Sequence, residues 1–208
     1  EKECERLSAL ARKSYDYAIK SFFDQDVKLI EKVEKNEKVV DFLTHEITSY
    51  IVKINGLDIS DEDRKIMGVM YSAIQDLERI GDHAENITEC VKTMLEGKIN
   101  FSEDALSELK HLDSLVISLL DSGFKMFNTQ NPDPVLAEEV VATEDELDDY
   151  VDAYKANHIR RMNGGLCSAE NGTVFLEMLT TLERVGDHAN NVAFSIPSKK
   201  LRSVVDED

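Results

Sequence analysis

The sequence predicts an all-α protein made of two tandem three-helix bundles. Three observations carry this. Proline is confined to Pro132, Pro134 and Pro197, so no obligate helix breaker interrupts the first 131 of the 208 residues. Glu, Lys, Leu and Ala are abundant, which favours long helices. Finally, LERIGDHAENI at 77–87 returns as LERVGDHANNV at 182–192, with eight of the eleven positions identical at an offset of 105 residues. That period is too long for a common solenoid repeat and fits a duplicated helical unit.

Each helix can be justified in order. Apolar residues recur at helical spacing from Leu7 to Phe23, and Asp24, Gln25 and Asp26 supply a break and an N-cap. A second helix over Asp26–Ile54 has Leu29, Val33, Val40, Leu43, Ile47 and Ile51 on its apolar side, and Asn55-Gly56 marks its end. Ser60 with Asp63 resembles a capping box opening a third helix that continues to Glu96 and stops at Gly97. The same order returns with helices over Glu103–Phe127, Pro134–Met162 and Gly172–Phe194. The expected division is a first unit over 1–98, a second over 99–197 and an acidic tail over 198–208.

Composition narrows the function. With 24 basic and 42 acidic residues the formal charge is −18, which repels nucleic acid and anionic membrane surfaces and suits cations or a basic partner. The most apolar run, Leu115–Leu120, is far short of the ~20 residues that span a bilayer. Cys4, Cys90 and Cys167 lack zinc-knuckle or Cys-x-x-Cys spacing and read as thiols of a reducing, cytoplasmic compartment. The sequence begins at Glu1 without Met, which reads as a processed chain or a piece of something longer.

The candidate chemistry lies in repeated carboxylate pairs. Glu78 with Asp82 and Glu183 with Asp187 are four residues apart and so share a helix face, with Asn86 and Asn191 one turn further. On projection this stripe falls opposite the apolar side, facing solvent or the edge of a neighbouring helix. The second helix of each unit carries a matching pair, Glu37 with Asp41 and Glu144 with Asp148, at an offset of 107 residues. If the second and third helices of a unit pack antiparallel, the two pairs converge into an oxygen-rich cluster suited to a hard or borderline divalent or trivalent cation. His45 and Asp152 extend these stripes as additional candidates. A single acid pair means little in so acidic a chain, and Asp104/Glu108 and Asp145/Asp149 read as accidents; repetition at matched places distinguishes the other four. Gly81 and Gly186 read as close-packing positions, Arg79 and Arg184 as ion-pairing partners, and His83 and His188 as hydrogen-bonding groups directed at a neighbouring helix.

At these residues the chain resembles the PhoU family. The resemblance implies two three-helix bundles about a pseudo-twofold axis, with Glu/Asp-x-x-x-Asp motifs that hold iron or zinc in some members and magnesium or manganese in others. It assigns metal binding to Glu78, Asp82, Glu183 and Asp187, and less distinctively to Glu37, Asp41, Glu144 and Asp148. Through ITSYIVKINGLDISDED (47–63) leading into DLERIGDHAENI (76–87), the chain is also similar to the PhoU-like domain at the C-terminus of bacterial sodium/phosphate cotransporter family proteins. That likeness implies a transporter membrane domain in the same polypeptide and a place at the cytoplasmic face of the bacterial inner membrane. It further implies regulation of phosphate uptake, with inorganic phosphate bound through metal; self-association into a homo-oligomer is compatible with it. Asp76 and Glu89 are matched by Thr181 and Phe194, which predicts that the two metal sites differ.

The competing readings are a free-standing phosphate-signalling regulator, a carboxylate-bridged di-iron enzyme and a helical scaffold without metal. The di-iron enzyme needs two Glu-x-x-His helices, and only Glu108 with His111 has that spacing. No catalytic nucleophile and no G-x-x-x-x-G-K phosphate loop is evident, so the expectation is a non-enzymatic regulator.

Overall fold

The computed structural model describes residues 2–129 and 133–195. Pro132, Pro197 and the predicted acidic tail lie outside the described residues. The described residues form six helices and no strands: α1 (Lys2–Asp24), α2 (Val27–Asn55), α3 (Asp61–Gly97), α4 (Glu103–Thr129), α5 (Pro134–Asn163) and α6 (Ala169–Phe194).

The local chemistry that sets the ends is mostly the chemistry read from the sequence. Asp26 caps α2 by accepting from the Lys28 backbone N–H at 3.0 Å, while Gln25 takes the left-handed conformation that separates α1 from α2. Ser60 Oγ accepts from the Asp63 backbone N–H at 3.1 Å and donates to the Asp63 carboxylate at 2.6 Å, so the pair is closed through side chains. Several ends differ from expectation: α1 begins at Lys2 rather than Leu7, and α4 continues to Thr129. The left-handed residue that closes α3 is Lys98 (φ 50°), one position after Gly97. α6 starts three residues before Gly172, because Ser168 Oγ accepts from the Asn171 backbone N–H at 3.2 Å. Ser168 and Asn171 repeat the spacing of Ser60 and Asp63.

Packing repeats as the helices do. Within each set the first helix packs on the second and third, and the second on the third; across the sets α3 lies against α6, with a smaller contact between α1 and α4. The third helices are therefore at the centre and α2 and α5 at the two flanks. Leu77, Ile80, Ala84 and Ile87 of α3 and Leu182, Val185, Ala189 and Val192 of α6 are fully buried in one continuous apolar core. Burial of the Leu, Ile and Val side chains among them, at about 1.5–3 kcal/mol each, is what holds the central pair together.

Polar and ring contacts fix the seam between the halves. His188 Nδ1 meets Asp76 Oδ1 at 2.9 Å, Asn191 Nδ2 donates to the same oxygen at 3.3 Å, and the His188 ring stacks on His83 with centroids 5.4 Å apart. The seam also includes Tyr15, whose buried hydroxyl donates to Asp113 at 2.8 Å. No helix among the described residues is long and apolar enough to cross a membrane.

Candidate metal centres

The antiparallel packing of α2 on α3 brings the first two carboxylate pairs together. Glu37 and Asp41 come from α2, and Glu78 and Asp82 from α3. Glu37 is buried at 8% exposure, and its Oε2 has no hydrogen-bond partner among the described residues. Burial, followed by repulsion from Asp82, Asp41 and Glu85, pushes its carboxyl up to about 8. Burial raises Glu78 and Asp82 above the ordinary carboxylate range as well, with Asp82 and Asp41 adding to Glu78 and Asp41 adding to Asp82. Arg79 and His188 pull both back down without cancelling the effect.

The second cluster has the same plan on α5 and α6. Burial and then Asp148 raise Glu144; burial, Asp187 and Glu183 raise Asp148; burial and then Glu183 raise Asp187. It departs from the first in two ways the sequence reading missed. Lys155 Nζ donates to Glu183 Oε2 at 3.0 Å, and Asn190, which hydrogen-bonds Glu144, stands where the first repeat has Glu85. The Asn190 difference was legible in the aligned motifs. Lys155 was not, because its partner lies on another helix.

The glycines of the motif explain how close the helices come. A Cβ at Gly81 would stand 3.0 Å from Glu37 Oε2 and 3.4 Å from Val40 Cγ1. At Gly186 the added carbon would run into Leu147 Cδ2 and stand 3.3 Å from Leu119 Cδ1. Gly81 therefore makes room for a carboxylate and Gly186 for a leucine.

Other expectations resolve individually. Glu37 is turned into the groove between α2 and α3 rather than to solvent, while Asp41, Asp82 and Asp148 are exposed. Asp76 and Glu89, expected to distinguish the two sites, do other work: Asp76 bonds across the seam and Glu89 pairs with Lys92 at 2.7 Å. His188 reaches a neighbouring helix as expected. His83 bonds Asn86 of its own helix at 3.3 Å, and burial, then His188, Arg184 and Arg79, lower its imidazole to about 4. His45 is exposed, and Asp152 pairs with Lys155 at 3.7 Å. Glu108 is held by Arg161 through bonds of 3.0 and 2.6 Å and His111 by the Tyr154 hydroxyl at 2.8 Å, so this Glu-x-x-His spacing is committed to packing α4 on α5.

The donor chemistry suits a hard cation: carboxylates from two helices lie near enough to repel one another, and Glu37 Oε2 is buried without a hydrogen-bond partner among the described residues. Among the described residues no group of three or more His, Cys, Asp or Glu side chains is arranged so as to hold a metal ion.

Comparison with known proteins accords with this architecture. The PhoU domain family matches residues 4–91 and 109–196, one match per repeat. The chain is 31% identical to the phosphate-specific transport system accessory protein PhoU homolog 1 of Thermotoga maritima over 90% of its own length and 79% of that protein. It is 25% identical to the corresponding PhoU homolog of Clostridium acetobutylicum over 91% of its own length and 85% of that protein. Its fold superposes on the crystal structure of PhoU from Pseudomonas aeruginosa with a TM-score of 0.85 at 21% identity, covering 94% of this chain and 92% of that one.

These matches correct the expectation of a transporter membrane domain in the same polypeptide and, with it, the placement as a domain of a membrane protein. The relatives are named as accessory proteins, and the chain accounts for most of their length, which leaves no comparable stretch for a transporter. A model match covering most of the sequence, together with the relative at 31% identity, establishes the conclusion: the chain belongs to the PhoU family.

Proposed function

We propose that this protein is a non-enzymatic accessory regulator of phosphate-specific transport that binds divalent or trivalent cations at its two carboxylate clusters and recognises inorganic phosphate through them. The names of its relatives support the role in phosphate transport. The observation that carries the metal reading is Glu37, a carboxylate buried among Asp41, Asp82 and Glu85 with its Oε2 left without a hydrogen-bond partner, a position that a cation would relieve. Iron, zinc, manganese and magnesium are all compatible with such oxygen donors to differing degrees, iron, manganese and magnesium most naturally.

In this reading Glu37, Asp41, Glu78 and Asp82 hold the first site, and Glu144, Asp148, Glu183 and Asp187 the second. A bound cation supplies local positive charge and open coordination positions for phosphate oxygens. The residues themselves bring a charge of −18 and no phosphate loop, so the metal-free chain opposes phosphate.

The test is elemental analysis of protein purified without a metal-affinity tag, comparing the parent with Asp82→Asn/Asp187→Asn, followed by calorimetric titration with phosphate. The parent should carry more than one ion per chain and the double variant far less, with phosphate heat only from the metal-loaded parent. Equal metal in parent and variant would remove these ligands from the proposal, and tight phosphate binding to the chelated chain would remove the metal-mediated mechanism. In the host, loss of the protein should alter the control of phosphate uptake while uptake itself continues.

A further inference from the structure

The carboxylate grooves run on into exposed apolar side chains, and they do so in both halves. Val52 on α2 and Tyr71 on α3 are 63% and 43% exposed, and Ile159 on α5 and Leu176 on α6 are 55% and 37% exposed. Val52 and Ile159 are 107 residues apart and Tyr71 and Leu176 are 105 apart, the same offsets that separate the carboxylate pairs of the two halves. Other exposed apolar residues are not doubled in this way: at the offset of 107, Phe42 and Tyr50 are answered by Asp149 and Asn157. Tyr71 precedes Glu78 by seven residues, as Leu176 precedes Glu183, which is two turns along one side of the helix. Val52 follows Asp41 by eleven residues, as Ile159 follows Asp148, which is three turns along one side. Each acidic groove therefore continues, toward the hairpin end of its two helices, into an apolar pair.

Both grooves open on one side of the molecule. α1 packs on α2 and α3, α4 packs on α5 and α6, and α1 touches α4, so these two helices cover one side of the α2–α3–α6–α5 layer and leave the other bare. His188 at the seam acts on Glu78 and Asp82 of the first cluster and on Asp187 of the second, which places both clusters beside the seam on that bare side. α3 and α6 are antiparallel, since Asp76 meets His188 and Cys90 feels the charge of Glu177. Leu176 is thus about level with Cys90, and the rise from Tyr71 to Cys90 is about 29 Å at 1.5 Å per residue. Along this length the surface runs from an apolar pair to acids, across the seam to acids again and on to a second apolar pair, the second half reversing the direction of the first. Exposed apolar residues grouped in this way imply an occupant.

Charge and symmetry select it. A second copy, or an anionic membrane, would set negative charge against the eight carboxylates of the two clusters, which are accompanied by Arg79, Arg184 and Lys155 in a chain of charge −18. A basic protein surface is attracted instead. A side that offers the same acids and the same apolar pair twice, in opposite directions, is matched by a partner that presents its own contacts twice, as the two subunits of a symmetric dimer do. We propose that the side carrying both carboxylate clusters docks one twofold-symmetric protein dimer, each subunit setting an apolar side chain against Val52 and Tyr71 or against Ile159 and Leu176, with basic side chains over the neighbouring acids. The apolar anchors stand two turns clear of Glu78 and Glu183, so the proposal does not depend on cation binding.

Photocrosslinking of the full chain in its host tests this, with benzoylphenylalanine placed at Tyr71 in one chain, at Leu176 in a second and, as a control outside the doubled pattern, at Phe42 in a third. Tyr71 and Leu176 should each become attached to the same basic stretch of one partner protein, and a chain labelled at both should take up two partner subunits. Phe42 should give far less product. Val52→Glu/Ile159→Glu, both at exposed positions, should lower the yield several-fold at Tyr71 and Leu176 without lowering the melting temperature. Different partners at the two positions, attachment to lipid or to another copy of this chain, or attachment to a stretch without Lys or Arg would each overturn the proposal. So would equal product from Phe42, or no product at Tyr71 and Leu176.

Discussion

Gly81 and Glu37 are a matched pair: a Cβ on the glycine would stand 3.0 Å from the Glu37 Oε2, so the absence of a side chain on α3 is what lets an α2 carboxylate sink into the groove. Because the obstruction is the far end of a flexible side chain, Gly81→Ala should change stability little, the ~1 kcal/mol gain in helix propensity offsetting the strain. It should nevertheless weaken cation binding at the first cluster. Gly186→Ala meets Leu147 and Leu119 instead, and should cost about 1–3 kcal/mol by overpacking. Thermal melting of the two variants, with cation titration of the first, checks both expectations.

The pH dependence follows from Glu37. Its carboxyl is raised from 4.5 to about 8 in the folded chain, so folding is favoured by the bound proton. That contribution is fully present below the unfolded value and is lost as pH rises through the folded one. His83, lowered from 6.5 to about 4, acts in the opposite direction at lower pH, where its contribution disappears as pH falls. The clean window is therefore from about pH 6.5 to about 8.5. There the melting temperature of the chelator-treated parent should fall more steeply than that of Glu37→Gln, and identical slopes would remove Glu37 as the cause.

Lys155 should make the second cluster the weaker one. Its ammonium occupies Glu183 at 3.0 Å and has to be displaced or shared before the carboxylate can turn to a cation. Lys155→Met should raise cation affinity several-fold at the second cluster and leave the first unchanged, a difference visible as convergence of two classes of site in a calorimetric titration.

The Arg161–Glu108 pair is a packing element rather than a ligand. Both side chains are largely buried, and Arg161 also lies over the Phe175 ring at 5.1 Å. Glu108→Ala should destabilise the chain by about 1.5–3 kcal/mol without altering its metal content. Denaturant unfolding beside elemental analysis separates the two effects.

Much of the fold could be read from periodicity and capping, since the six helices and the break at Gln25 depend on interactions within a few residues of sequence. The convergence of Glu37 and Asp41 with Glu78 and Asp82 also followed, because short loops force neighbouring helices antiparallel. Interactions between distant segments did not follow. A helical wheel places Glu78 and Asp82 away from the core, but it cannot show that Glu37 is covered by α3, that Lys155 reaches Glu183, or that Asp76 is used by His188 across the seam. Ser168 was missed for a local reason: its cap opens a turn of Ala169, Glu170 and Asn171, which carries little apolar periodicity.

The notch left by the motif glycine has a consequence for how duplicated proteins diverge. One gap between two helices admits an acid in one half and a hydrocarbon in the other, although eleven residues of surrounding sequence are nearly the same. Two halves that look interchangeable in an alignment are thus separate experiments on one scaffold: one stores electrostatic tension against the helix axis and the other fills the same space with inert volume. Both halves already carry the acid and the glycine, Glu37 with Gly81 and Glu144 with Gly186, so what sets the halves apart is the hydrocarbon that shares the gap, Val40 in the first and the larger Leu147 in the second.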